Sequence, residues 1–296
     1  LAETCSMVLL AAGGIRAPVI PPSLPLILVG VAGGISIKNL FLGGIVPGLL
    51  MGMTLMAVWA LVVRKEELDT KEKATKAEKR AALREGVWAL LLPVIIIGGI
   101  RFGIFTPTEA AVVAAVYAIF VSAFIYREIT FRSFYEILLT AGRSTAMVMF
   151  LVGCAMVAAW LITVAQLPQQ LASLLGPLVD SPRLLMGVIM LLVLCVGMVM
   201  DLSPTILILV PLLMPVVKLA GIDETYFGLM FVINCSIGLI TPPVGTVLNV
   251  VCGVARVPMS KAVKGVLPFI TAYSLLLALF VIFPGIITIP MSFIIG

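Results

Sequence analysis

Apolar residues fill the chain in long stretches, at about 5–33, 40–63, 86–104, 108–126, 144–165, 183–220, 225–255 and 265–294. Polar positions gather between these stretches and do not alternate with apolar ones, so the pattern predicts membrane-length helices. A membrane β-barrel would alternate strictly along short segments. The expected fold is an α-helical bundle, in which each span satisfies its own backbone groups. The longest polar interval, "RKEELDTKEKATKAEKRAALRE" from Arg64 to Glu85, carries 14 charged residues in 22 and has no proline or glycine. Acid–base pairs three and four apart predict a solvated connecting helix. Its eight Lys/Arg place it on the cytoplasmic side. A helix lying along the membrane surface is a refinement of the same reading.

Topology follows by counting from that connector. Span 86–104 runs outward and "RFGIFTPTEA" turns it at the outer side. Span 108–126 returns to "REITFRSFYE" and Arg143, which add basic residues inside. Span 144–165 runs out again to the basic-poor "QLPQQLASLLGPLVD". Segment 183–220 is interrupted by "GMVMDLSP", Gly197 to Pro204. Crossing once, it would leave Arg256, Lys261 and Lys264 outside, against the positive-inside rule. A re-entrant hairpin with its tip near Asp201 puts all three inside, with legs short for full spans. Segment 265–294 then runs outward, which makes the C-terminus periplasmic.

Two apolar segments contain paired prolines: "APVIPPSLPLILV" at Pro21-Pro22 and "GLITPPVGTVLNV" at Pro242-Pro243. A shift of 221 residues superposes the two pairs, and it also brings Gly44 onto Gly265, Pro47 onto Pro268 and Val29 onto Val250. One copy runs outward and the other inward, so the chain reads as an inverted repeat, the plan of secondary transporters whose site lies near the midplane. The second repeat starts near Gly86. Its partner would start about 135 residues before Leu1, so the chain is expected to begin in mid-protein. Unwinding at each Pro-Pro pair frees carbonyl oxygens for a hard cation such as Na⁺, and the half-helix beyond offers N–H groups to an anion. Such backbone at membrane depth belongs inside protein or beside water.

Composition narrows the chemistry. Of 296 residues, 62% are hydrophobic and 11% charged, with mean hydropathy +1.25, far too apolar for a soluble domain. The chain has no histidine, which removes imidazole metal sites, general bases and proton relays. Its net charge of +5 is accounted for by the positive-inside rule and calls for no nucleic acid. Cys5, Cys154, Cys195, Cys235 and Cys252 show no metal-ligand spacing and read as packing residues. The glycine pairs Gly33-Gly34, Gly43-Gly44 and Gly98-Gly99 read as close-packing positions.

Three charged residues near membrane depth carry two readings each. Asp201 serves ion coupling or tip geometry, or caps the second hairpin leg. Arg16 anchors a substrate carboxylate, or snorkels or pairs internally. Glu109, with Thr108 just before it, reads first as part of a capped helix start. With so few polar groups at that depth, an intramembrane enzyme lacks a nucleophile with its base. A passive channel would want a ring of polar residues.

The motifs "GGIRFGIFTPTEAAVVAAVYA", "GMVMDLSPTILILVPLLMPVVKLAGID", "GLITPPVG" and "APVIPPSLP" stand here in one order. In these the chain resembles the large membrane subunit of the tripartite ATP-independent periplasmic (TRAP) transporters, from about Ala12 to Pro290. The resemblance implies a Na⁺-coupled symporter subunit of the bacterial inner membrane that imports an organic acid, such as a dicarboxylate, sialic acid, sugar acid or keto acid. It implies a periplasmic substrate-binding protein and a small membrane subunit as partners, an elevator mechanism, and no cofactor beyond the coupling ion. Carried onto this sequence, one Na⁺ site falls on Gly197, Gly238, Thr241 and Val244. The symmetric site falls on Ala17, Ile20 and Ser23 together with a hairpin outside this chain. The family commonly has glycine where Ala17 stands, and Arg16 is read as a subfamily specificity feature. The expected domains are the end of the first repeat (1–63), the connector (64–85) and the second repeat (86–296). The alternative is a binding-protein-independent anion transporter of a related superfamily.

Overall fold

Prolines mark several helix starts, because a proline is tolerated in a first helical turn, where its missing N–H has no partner to lose. In the computed structural model, which describes residues 2–63, 75–167, 169–170, 179–255 and 257–295, Pro25, Pro107 and Pro182 stand in first turns. Regular structure among the described residues is all helical. In chain order the helices are α1 (Ala2–Gly14), α2 (Leu24–Gly33), α3 (Ile37–Val63), α4 (Lys76–Arg101), α5 (Pro107–Phe120) and α6 (Phe131–Val164). They continue as α7 (Pro182–Gly197), α8 (Leu202–Leu219), α9 (Glu224–Gly238), α10 (Thr246–Ala255), α11 (Met259–Ile282) and α12 (Gly285–Ile295). Six are long and apolar enough to cross a membrane: α3, α4, α5 with the π-helical turn that follows it, α6, α8 and α11. The chain is a multi-pass membrane protein.

The chain divides into two compact units, Asp69–Cys154 and Leu1–Leu68 with Ala155–Gly296. In the first, α4 and α5 pair as an antiparallel hairpin. Gly99 lets the turn close, since a Cβ there would meet the Phe105 ring at 2.2 Å. Thr106 and Glu109 form a reciprocal capping box at the start of α5, so the capping partner of Glu109 is Thr106 and not Thr108. Tyr117 and Tyr126 donate hydroxyl hydrogen bonds to the carbonyls of Trp88 and Glu85, 2.8 and 2.6 Å.

The other unit is built around α9, which is buried from Thr225 to Gly238. A helix apolar on all sides belongs in such a position. Helices α7, α8, α2, α3 and α11 pack against it. Asn234, fully buried, donates its amide to the Met190 carbonyl of α7 and so pins that hairpin leg to α9. Tyr226 reaches the Phe280 carbonyl of α11 at 2.9 Å.

Several limits differ from the apolar pattern. Helix α4 begins at Lys76, capped by Thr75, so the described part of the charged connector is the start of a spanning helix. Residues 64–74 lie outside the described residues. Helix α6 begins at Phe131, an amphipathic extension that an apolar run cannot show. The last segment is two helices, interrupted at Phe283-Pro284, because the residue before a proline is driven out of the helical region. Cys235 and Cys252 are buried as packing residues, whereas Cys154 and Cys195 are exposed on apolar helix surfaces. Of the glycine pairs, Gly98 faces open space and Gly34 closes α2 at φ 68°, so neither is a packing position.

Candidate functional site

Both Pro-Pro segments break their helices, and the flanking elements match. Each break separates a helix of 13 or 15 residues (α1, α9) from one of 10 residues (α2, α10). Each series ends in a long helix with an internal proline, Pro47 in α3 and Pro268 in α11. The Pro21-Pro22 and Pro242-Pro243 bonds are both cis. Helices flanking the two breaks meet: a Cβ on Gly14, at the end of α1, would lie 4.0 Å from Val247, at the start of α10.

In the second break the chain leaves α9 through tight turns, Ile240 N–H to Ile237 O and Thr241 N–H to Gly238 O at 3.2 and 3.0 Å. Pro242 and Pro243 supply no donors. Among the described residues no backbone N–H is directed at the carbonyls of Ile240 or Thr241. The Thr241 hydroxyl donates to Ile237 O at 2.7 Å, which leaves its own lone pairs available. The loop closes at Gly245, φ 52°, and the Asn249 amide holds the Val244 carbonyl at 2.7 Å.

The tip joining α7 to α8 sits on this loop. A Cβ on Gly238 would be 2.7 Å from both the carbonyl carbon and oxygen of Gly197, so the two backbones touch where only glycine fits. Val244 N–H donates to Met198 O at 3.3 Å. The Thr246 hydroxyl reaches an Asp201 carboxylate oxygen at 3.5 Å. Asp201 holds the N-cap position of α8, but its side chain makes no capping bond. The carboxylate is turned toward the start of α10, where a helix N-terminus favours negative charge. The structure therefore brings Gly197, Gly238, Thr241 and Val244 together, with Asp201 at their edge.

The first break is held differently. Ser23 caps α2, accepting from Leu26 N–H at 3.3 Å and donating to the Pro18 carbonyl, so its hydroxyl is committed to the turn. The Arg16 carbonyl takes the N–H groups of Val19 and Ile20. Among the described residues no backbone N–H meets the carbonyls of Ala17 or Ile20. Along α3, Gly44, Gly48 and Gly52 form a groove under this loop. A Cβ at these positions would meet the Val19 carbonyl oxygen at 2.7 Å, Ile20 Cγ1 at 2.7 Å and an Arg16 guanidinium nitrogen at 3.2 Å. Arg16 is half-buried, its Nε donating to Gly13 O at 3.3 Å. Among the described residues no carboxylate pairs with it. Sequence reasoning missed this groove, whose four-residue spacing is visible in "GIVPGLLMG". It also missed Thr246 and Asn249, for which no local pattern exists.

The family model described as the tripartite ATP-independent periplasmic transporter, DctM component, matches residues 3–286. The chain is 56% identical over 286 residues to the 2,3-diketo-L-gulonate TRAP transporter large permease protein of Escherichia coli K12, covering 97% of this chain and 67% of that protein. It is 41% identical over 276 residues to the sialic acid TRAP transporter large permease protein of Vibrio cholerae, covering 93% and 65%. It is 41% identical over 251 residues to the C4-dicarboxylate TRAP transporter large permease protein of Pseudomonas aeruginosa, covering 85% and 59%. The chain belongs to the family of TRAP transporter large permeases.

Proposed function

We propose that this TRAP large permease couples the entry of Na⁺ to the import of an organic acid, and that the two Pro-Pro loops are its working site. The observation that supports this most directly is the junction of the α7–α8 tip with the second loop. There the Gly197 and Gly238 backbones touch, and Thr241 offers hydroxyl lone pairs and a carbonyl that takes no backbone N–H among the described residues. That donor set suits a hard monovalent cation, which prefers neutral and anionic oxygen to nitrogen or sulfur. Gly197, Gly238, Thr241 and Val244 hold one ion. Ala17 and Ile20 contribute backbone oxygen to a second, and Ser23 contributes by fixing the turn.

Arg16 anchors the substrate carboxylate beside the first loop. A guanidinium without a carboxylate partner among the described residues, lying against Gly52, suits the recognition of a planar anion. Sodium orders the loops, and the ordered loops then present the anion site. Coupling of this kind is reciprocal, so substrate tightens Na⁺ by the factor that Na⁺ tightens substrate. The relative with 56% identity is named for 2,3-diketo-L-gulonate, which makes a six-carbon keto sugar acid the first substrate to test. On this reading the repeats are inverted, the hairpin is re-entrant, and hairpin and broken helices move as a block in an elevator. A small membrane subunit braces the permease, and a periplasmic binding protein delivers the acid. The connector faces the cytoplasm of a bacterial inner membrane and the C-terminus the periplasm.

The test is uptake of labelled keto sugar acids by the full-length permease with its small subunit in proteoliposomes, with and without the binding protein. Uptake that requires the binding protein and an inward Na⁺ gradient is expected. Uptake without the binding protein would favour an independent ion-coupled carrier, and equilibration without accumulation would contradict symport.

A further inference from the structure

Helix α4 carries three of its basic residues on one side, with Lys79 off that line. Lys76, Arg80 and Arg84 stand four residues apart, so they form a single stripe about 12 Å long at 1.5 Å per residue. All three are exposed, and the exposed Leu83 and Val87 flank them on the same face. The acidic residues of this stretch are turned away at 100° per residue. Glu78 is folded back onto the Thr75 N–H at 2.8 Å. Among the described residues, the ion pairs are Arg132 with Glu136 and Lys218 with Glu224, which leaves the stripe without a carboxylate. The same helix becomes an apolar span from Val87 onward, so the stripe is rigidly joined to a membrane-crossing run. Its level is marked by Tyr126, whose hydroxyl is bonded to Glu85 O, and by Trp88, 40% exposed. Both are residues that favour the membrane–water boundary. Arg127, next to Tyr126 and held at φ 55°, adds a fourth basic group at that level.

We propose that this stripe, with Arg127, is a binding surface for the headgroups of anionic phospholipids. Guanidinium and ammonium groups at the boundary meet phosphate, while Leu83 and Val87 enter the upper acyl region. A soluble acidic partner would not need the apolar flank, and a charge that merely set topology would not need one face.

The test titrates the purified, delipidated full-length permease with phosphatidylglycerol or phosphatidylcholine and counts bound lipid by native mass spectrometry. Each basic residue near an anionic surface contributes about fivefold to binding. The wild type should therefore prefer phosphatidylglycerol. Lys76→Gln/Arg80→Gln/Arg84→Gln should lose on the order of a hundredfold of that preference, and Lys76→Arg/Arg80→Lys/Arg84→Lys should keep it. No preference in the wild type would overturn the proposal. So would an equal loss in a Lys261→Gln/Lys264→Gln control, which would mean general charge and not this stripe. A parallel co-purification in which the triple glutamine variant loses the small subunit, with lipid preference unchanged, would make the stripe a protein contact and overturn it too.

Discussion

Gly238 and Gly197 face each other across the loop–tip junction, yet their tolerances differ. A Cβ at Gly238 meets Gly197 backbone at 2.7 Å, whereas one at Gly197 has Cys235 Cα at 3.6 Å, an ordinary contact. Gly238→Ala should therefore displace the tip and abolish Na⁺-dependent uptake, while Gly197→Ala should retain most of it. Initial uptake rates of the two variants at saturating Na⁺ decide the point. Arg16 gives a second prediction. Arg16→Gln removes a charge-assisted bond to the substrate, worth on the order of 2 kcal/mol, so the KM for the acid should rise roughly thirtyfold. Arg16→Lys keeps the charge but loses the planar fork and should fall between. An unchanged KM in both would return Arg16 to a snorkelling role. What the sequence made legible at this scale was backbone: prolines and glycines whose rules are local. It left open the choice at Asp201, because capping and tip contact differ only in where the side chain turns. The side chain makes no capping bond and lies 3.5 Å from the hydroxyl of Thr246, 45 residues along the chain.

Helices α3 and α11 occupy matching places in the two series but support their loops by different means. Gly44, Gly48 and Gly52 let the first loop lie against α3. The residues 221 farther on are Gly265, Phe269 and Tyr273; the last two are buried in the core, and the Tyr273 hydroxyl donates to Ala12 O at 3.2 Å. Gly44→Ala, which would meet the Val19 carbonyl oxygen at 2.7 Å, should impair uptake. Gly98→Ala, facing open space, should be silent. Similar losses in both, measured at matched expression, would mean that α3 does not seat the loop. The helix breaks were legible at this scale because Pro-Pro and "GMVMDLSP" interrupt apolar runs. The starts of α4 and α6 were not, since polar residues continue a helix as readily as apolar ones when capped. The break at Phe283-Pro284 was available from the proline but was hidden inside an apolar stretch.

At the scale of the whole molecule, lipid is the solvent. No described residue of α6 is buried, and in lipid that apolar surface carries no penalty. Polar backbone is instead collected at the two loops, within the unit whose core is α9. The central claim is that these loops bind the coupling ion, and Thr241 tests it most directly. The measurement is the Na⁺ dependence of substrate uptake by the full-length permease with its partners in proteoliposomes, wild type against Thr241→Ala. Loss of one oxygen ligand, at about 1–2 kcal/mol, predicts a Na⁺ requirement raised roughly five- to thirtyfold with the binding protein still required. Uptake indifferent to Na⁺, or a Na⁺ dependence unchanged by the substitution, would contradict it.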